Sequence, residues 1–118
     1  MYEKEIKIIL SPEARNVYEY LNSVSDTSKI EKSILKAIKD KSKLIKENPQ
    51  YGDPISKKLI PKEYIKKYSI NNLFRVELPN YWRMLYSLEE GDSRIEIIAF
   101  VLEIMSHKKY NKRFGYKK

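Results

Sequence analysis

The order of apolar and polar positions divides the chain into one strand, two helices and then a run of strands. In Glu5-Ile6-Lys7-Ile8-Ile9-Leu10, Ile6 and Ile8 alternate with charged residues before the segment turns wholly apolar, as a partly buried strand does. Ser11-Pro12-Glu13 reads as an N-cap, a proline at the first helical position and an acid in the first turn. Ala14, Val17, Tyr18, Leu21 and Val24 then recur at helical spacing and predict a helix of about three turns. Ser25-Asp26-Thr27 interrupts it. Ser28 with Glu31 makes a capping box, and Ile30, Ile34, Ala37, Ile38, Lys41 and Ile45 trace one face of a longer helix that Asn48-Pro49 ends. Two amphipathic helices with a short connection predict an antiparallel hairpin.

Gln50-Tyr51-Gly52-Asp53-Pro54 is punctuation too short to be a domain linker, and residues 55–68 are weakly patterned, with a helical turn around Tyr64, Ile65 and Tyr68. Three strand-like runs follow. Phe74, Val76 and Leu78 share one face against Arg75 and Glu77; Trp82, Met84, Tyr86 and Leu88 share one face against Tyr81, Arg83 and Leu85. A two-residue turn at Pro79-Asn80 is expected to join them as a hairpin, with both arginines opposite Phe74 and Trp82. Glu89-Glu90-Gly91-Asp92-Ser93 supplies a second turn. Residues 95–105 are apolar on both faces apart from Glu96 and Glu103, which predicts a central, covered strand with Met105, like Met84, in the core. The expected fold class is α+β: a single compact domain over residues 1–118, with an N-terminal strand and a helical hairpin packed on a mostly antiparallel sheet that a C-terminal three-stranded meander completes.

Composition narrows the chemistry. A hydrophobic share of 42% with 12% aromatics, in 118 residues, supports a packed core rather than disorder. The chain has no Cys and one His, which removes disulfides, thiol chemistry and the usual zinc clusters, so no metal and no cofactor is expected. The longest apolar run is too short to span a bilayer and the first residues do not resemble a leader, so a cytoplasmic protein without membrane contact is expected. The net charge of +8 is uneven: residues 51–106 balance, whereas residues 107–118 carry six cations and no acid. Lys108, Lys109, Lys112 and Arg113, interleaved with Tyr110, Phe114 and Tyr116, suit a polyanion, because cations neutralise phosphates while rings stack on bases. A solvated basic tail is the plainer alternative.

Glycine-rich phosphate loops, paired-histidine motifs and nucleophile elbows are absent. Arg75 and Arg83 on neighbouring strands could bind a phosphate or stabilise charge developing on it; alternatively each pairs with an acid such as Glu77 or Glu96. His107, just past the last strand and beside Lys108, Lys109 and Tyr110, is the one side chain of a type that titrates near neutrality.

From Leu73 onward the sequence resembles the RelE/ParE toxin superfamily, in its archaeal RelE-like members. The resemblance rests on Leu73-Phe74-Arg75-Val76-Glu77-Leu78, on Asn80-Tyr81-Trp82-Arg83-Met84-Leu85-Tyr86-Ser87-Leu88 with its Arg83 and Tyr86, and on the ending from Ser106 to Tyr116. It implies a type II toxin–antitoxin toxin. RelE-like members are mRNA interferases, endoribonucleases that cut messenger RNA in the ribosomal A site; ParE-like members inhibit DNA gyrase instead. The implied partners are a cognate antitoxin, held largely by the two-helix hairpin, together with mRNA and the ribosome. By position, Arg75 and Arg83 correspond to basic residues that face phosphate, His107 and Lys108 to the basic end of the last strand, and Tyr110 or Tyr116 to a C-terminal tyrosine. Glu77 stands where many nuclease members have lysine, and Lys108 where arginine is usual. The expected activity is metal-independent attack of a 2′-hydroxyl, with Arg83, His107, Tyr110 and Tyr116 catalytic and Arg75, Lys108, Lys109, Lys112 and Arg113 binding RNA. A ParE-like gyrase inhibitor and a non-catalytic RNA-binding protein are the alternatives.

Overall fold

The computed structural model describes residues 5–91 and 96–115. In chain order the elements are β1 (Glu5–Leu10), α1 (Pro12–Val24), α2 (Lys29–Glu47), β2 (Asp53–Pro54), α3 (Lys62–Tyr68), β3 (Phe74–Leu78), β4 (Trp82–Glu90), β5 (Glu96–Met105) and α4 (His107–Arg113). The five strands form one mixed sheet in the order β1-β5-β4-β3-β2. β1 runs parallel to β5 and the remaining neighbours are antiparallel. The α+β class, the N-terminal strand, the hairpin of α1 and α2 and the meander of β3, β4 and β5 are as the pattern predicts. Among the described residues no helix is long and apolar enough to cross a membrane.

Local chemistry sets the helix ends. Ser11 Oγ accepts the Ala14 N–H at 3.0 Å, and the same hydroxyl donates to the Leu102 carbonyl at 2.6 Å. One buried serine therefore both starts α1 and pins it to β5. Ser28 caps α2 by accepting the Glu31 N–H at 3.4 Å, while its hydroxyl donates to the Glu31 carboxylate. The apolar stripes of α1 and α2 meet one face of the sheet, burying Leu21, Ile34, Ile38 and Ile45 against Val76, Met84, Tyr86 and Val101. Tyr86 is fully buried there, its hydroxyl donating to the Pro49 carbonyl at 2.6 Å and accepting the Gly52 N–H at 3.0 Å. Glycine suits that approach, since a Cβ at position 52 would sit 3.0 Å from both the Arg75 carbonyl and the Tyr86 ring, tighter than ordinary contacts, and its neighbours would have to give way.

Four expectations change. The link between β3 and β4 has three residues, Pro79–Tyr81, because Leu78 pairs with Trp82. That third residue keeps Arg75 and Arg83 on one face: a two-residue turn would set Arg83 opposite Val76 and reverse it. Second, that face is not open. α3 and α4 cover part of it with a second core in which Ile60, Tyr64, Leu73 and Tyr110 bury Leu85, Leu102 and Met105. Met84 and Met105 are thus both core residues, but on opposite sides of the sheet. Third, residues 107–115 of the basic segment are neither a tail nor a strand end. Ser106 caps a helix whose i, i+4 pair Tyr110 and Phe114 packs onto the sheet. Fourth, β2 adds a short edge strand where only a turn was expected. Arg94, Tyr116, Lys117, Lys118, the start of the expected last strand at Ile95 and the turn residues Asp92 and Ser93 lie outside the described residues.

β5 also carries a bulge. Leu85 pairs with Glu103 and Tyr86 with Val101, so two residues of β5, Leu102 and Glu103, stand against one step of β4. Leu102 and the Glu103 carboxylate both meet the α3–α4 side, which strict alternation would forbid.

Candidate functional site

Arg75 and Arg83 reach Tyr110 of α4 from neighbouring strands. Arg75 Nη1 donates to the Tyr110 hydroxyl at 3.4 Å, and the Arg83 guanidinium lies over the Tyr110 ring, 5.4 Å from its centre. Tyr110 is buried, with Phe114 stacked on it at 4.4 Å. The hydrogen bond to Tyr110 is the largest influence raising the Arg75 pKa, which keeps that group charged throughout. Asp53 Oδ2 stands 3.6 Å from Arg75 Nη2, and Glu77, paired across the strands with Arg83, places Oε1 3.8 Å from its Nε. Both contacts are beyond hydrogen-bonding reach, and neither arginine's buried Nε has a hydrogen-bond partner among the described residues.

Arg83 also holds the hairpin loop. Its Nη1 donates to the Tyr81 carbonyl at 2.8 Å and to the Trp82 carbonyl at 3.3 Å. Asn80 and Tyr81 both take left-handed backbone, at φ 59° and 63°. For tyrosine this costs on the order of 1 kcal/mol or more, so the loop is held by surrounding contacts. The result is a tyrosine 73% exposed whose ring meets the edge of His107 at 5.8 Å. Tyr81 was not among the residues that the sequence singled out. Its signal was an aromatic on the polar side of a strand beside a Pro-Asn turn.

The cations of α4 divide into two sets. Lys108 and Lys112 are exposed, and with Glu63, Ser106, Lys109 and Arg113 they line a groove of about 710 Å³. Arg113 is instead engaged with the sheet, its Nη2 3.2 Å from Glu103 Oε2 and its Nη1 on the Glu63 carboxylate, with the guanidinium over the Tyr64 ring. Lys109 Nζ lies 3.7 Å from Glu103 Oε1. Tyr64 donates to Glu103 Oε2 at 2.8 Å; burial first, and then the carboxylate, push its pKa far up, so it stays a donor. Glu103, on sequence an ordinary strand acid, is the buried centre of a latch that docks α4. No local pattern marks it, because the bulge that turns it inward forms only by pairing with β4.

The fold therefore assembles Arg75, Arg83, Tyr110 and, through Tyr81, His107. It sets Lys108 and Lys112 in a groove on α4 and commits Arg113 to an ion-pair network. Chemically, such a set offers two fixed guanidinium groups, an imidazole and an exposed aromatic platform, a combination suited to a phosphodiester flanked by a base. Compared with protein-family models, with curated proteins and with solved structures, the chain matches none.

Proposed function

We propose that the chain is a RelE-like toxin of a type II toxin–antitoxin pair, an endoribonuclease that cuts messenger RNA on the ribosome. The observation that carries this reading is the convergence of Arg75 and Arg83 on Tyr110, with His107 brought alongside through Tyr81. In the reaction the 2′-oxygen forms a bond to phosphorus and the 5′-oxygen leaves. The proton of the 2′-hydroxyl passes to His107, and the departing oxygen takes a proton from Tyr110 or solvent. Arg83 stabilises the charge on the phosphorane and Arg75 positions the backbone. Tyr81 stacks on a base next to the cut, and Lys108 and Lys112 hold the flanking strand. The atoms and protons balance without a redox partner. This reading places the protein in the cytoplasm, with a cognate antitoxin that covers it between uses.

One observation favours a second reading, a ParE-like inhibitor of DNA gyrase that cuts nothing. Glu77 faces Arg83, and Arg83 already donates to two backbone carbonyls, which suits a structural arginine. Inducible expression with mapping of RNA ends separates the two. Growth arrest with new 5′ ends inside codons, lost in Arg83→Ala, supports the nuclease. Arrest with intact messages and blocked supercoiling by the purified protein supports the inhibitor.

A further inference from the structure

Helix α2 carries seven lysines against three acids. One of them, Lys41, is bonded to the Tyr51 hydroxyl at 3.0 Å. The other six, Lys29, Lys32, Lys36, Lys39, Lys43 and Lys46, follow one another at alternating steps of three and four and are all exposed. At 3.6 residues per turn this spacing confines them to a stripe about 100° wide and about 26 Å long. Lys36 meets Asp40 at 3.1 Å in a pair exposed on both sides; the other five have no ion pair among the described residues. The stripe lies across the sheet from Arg75 and Arg83, since α2 packs on the opposite face.

A row of six like charges with a single ion pair costs self-repulsion and does nothing for the core, which α2 builds from Ile34, Leu35, Ile38 and Ile45. We infer that the α2 stripe is a docking surface for the sugar-phosphate backbone of a nucleic-acid duplex, separate from the Arg75–Arg83 site. The composition of the stripe selects the occupant. Protein interfaces are depleted in lysine and need exposed apolar or aromatic anchors, and along the stripe Ile38 is buried and Tyr18 half-buried. Single strands are held by successive stacking on several aromatics, whereas beside the stripe a single half-buried Tyr18 lines the groove with Lys39, Lys43 and Lys46. A membrane-surface helix must insert an apolar face, and that face of α2 is already buried in the core. A straight row of flexible point charges suits phosphates on a rigid duplex, where counterion release supplies affinity without reading sequence. Duplex RNA and duplex DNA share this chemistry.

The test compares the wild-type protein with Lys32→Gln/Lys36→Gln/Lys39→Gln/Lys43→Gln. The probes are an RNA duplex with 2′-O-methyl sugars, a DNA duplex of the same sequence, the corresponding single strand and phosphatidylserine vesicles. A methylated 2′-oxygen has no proton to lose and cannot attack the adjacent phosphate, so the result is independent of the nuclease reading. Four lost phosphate contacts should lower the slope of log affinity against log salt by about 3.6, so that between about 50 and 200 mM salt the wild type loses roughly 150-fold more affinity than the variant. Lys39→Gln/Lys43→Gln should show about half that slope change and guards against a fold defect in the larger variant. Tighter binding of one duplex names the source, and equal binding means that the backbone alone is read; either supports the surface. An unchanged slope, or stronger binding of the single strand or vesicles than of both duplexes, overturns it.

Discussion

The two faces of the sheet are covered by helices of different kinds, and they keep different chemistry. On one side α1 and α2, of 13 and 19 residues, lay continuous apolar stripes over Val76, Met84 and Val101. The polar groups buried there, Ser11 and the Tyr86 hydroxyl, are hydrogen-bonded to backbone. On the other side α3 and α4, of seven residues each, cannot cover the sheet. Charge remains among them: Glu103 held by Tyr64 and Arg113, and Arg75 and Arg83 around Tyr110. Long helices exclude water and supply stability through apolar burial. Short ones leave charges part-buried, where electrostatic contacts are stronger than in water and a ligand can still reach them. The side that keeps charged groups within reach of a ligand is the side that is poorly covered.

The largest expected effect tests the dry side. Ile34→Ala, at a fully buried position, should cost about 2–5 kcal/mol in denaturant unfolding. Next, Arg83→Ala should slow RNA cleavage by about a hundredfold or more, with Arg83→Lys recovering little, because an ammonium lacks the guanidinium fork. Its midpoint of unfolding should fall far less than that of Ile34→Ala. Equal losses of stability in the two variants would erase the contrast between the faces.

Arg113→Ala sharpens the comparison from within the charged side. Removing one cation from buried Glu103, with Tyr64 and Lys109 still beside it, should cost about 1–3 kcal/mol. Hydrogen exchange should quicken in α4 ahead of α1 and α2; uniform quickening would mean that the latch is not local. Tyr86→Phe strips the Pro49 carbonyl and the Gly52 N–H of their shared partner on the dry side and should cost about 1–2 kcal/mol, read from the shift in thermal midpoint.

The smallest effect concerns pH. The Lys67 ammonium, and then the Tyr68 hydroxyl, lower the Glu13 pKa from 4.5 to about 2. A depressed folded-state value means that the contact stabilises the fold above pH 4.5 and is lost as pH falls toward 2. Glu13 is 40% exposed, so solvent screening holds the contribution below about 1 kcal/mol. Glu13→Gln should lower stability by up to that amount above pH 4.5 and converge with the wild type toward pH 2, which flattens the acid limb of the curve.

Signals confined to a few neighbouring residues carried the first half of the chain. Ser11-Pro12 and Ser28 with Glu31 set where α1 and α2 begin, Asn48-Pro49 set where α2 ends, and apolar spacing set which faces turn inward. Such caps act through bonds spanning three or four residues and are legible without a fold. Alternation within each strand likewise set Arg75 opposite Phe74 and Arg83 opposite Trp82, and the three-residue loop brought the two arginines to one side. Only the tertiary structure decided what that side is. The three-residue loop with left-handed Asn80 and Tyr81 is stabilised by Arg83, whose own place depends on the pairing of β3 and β4. The helical state of residues 107–113 rests on Tyr110 and Phe114 finding a sheet face, since seven residues are too few to hold a helix alone. Glu103 turns inward through a bulge that exists only against β4, and it turns Arg113 from a free cation into part of a latch. These contacts join residues far apart in the chain, so no window of sequence contains both partners.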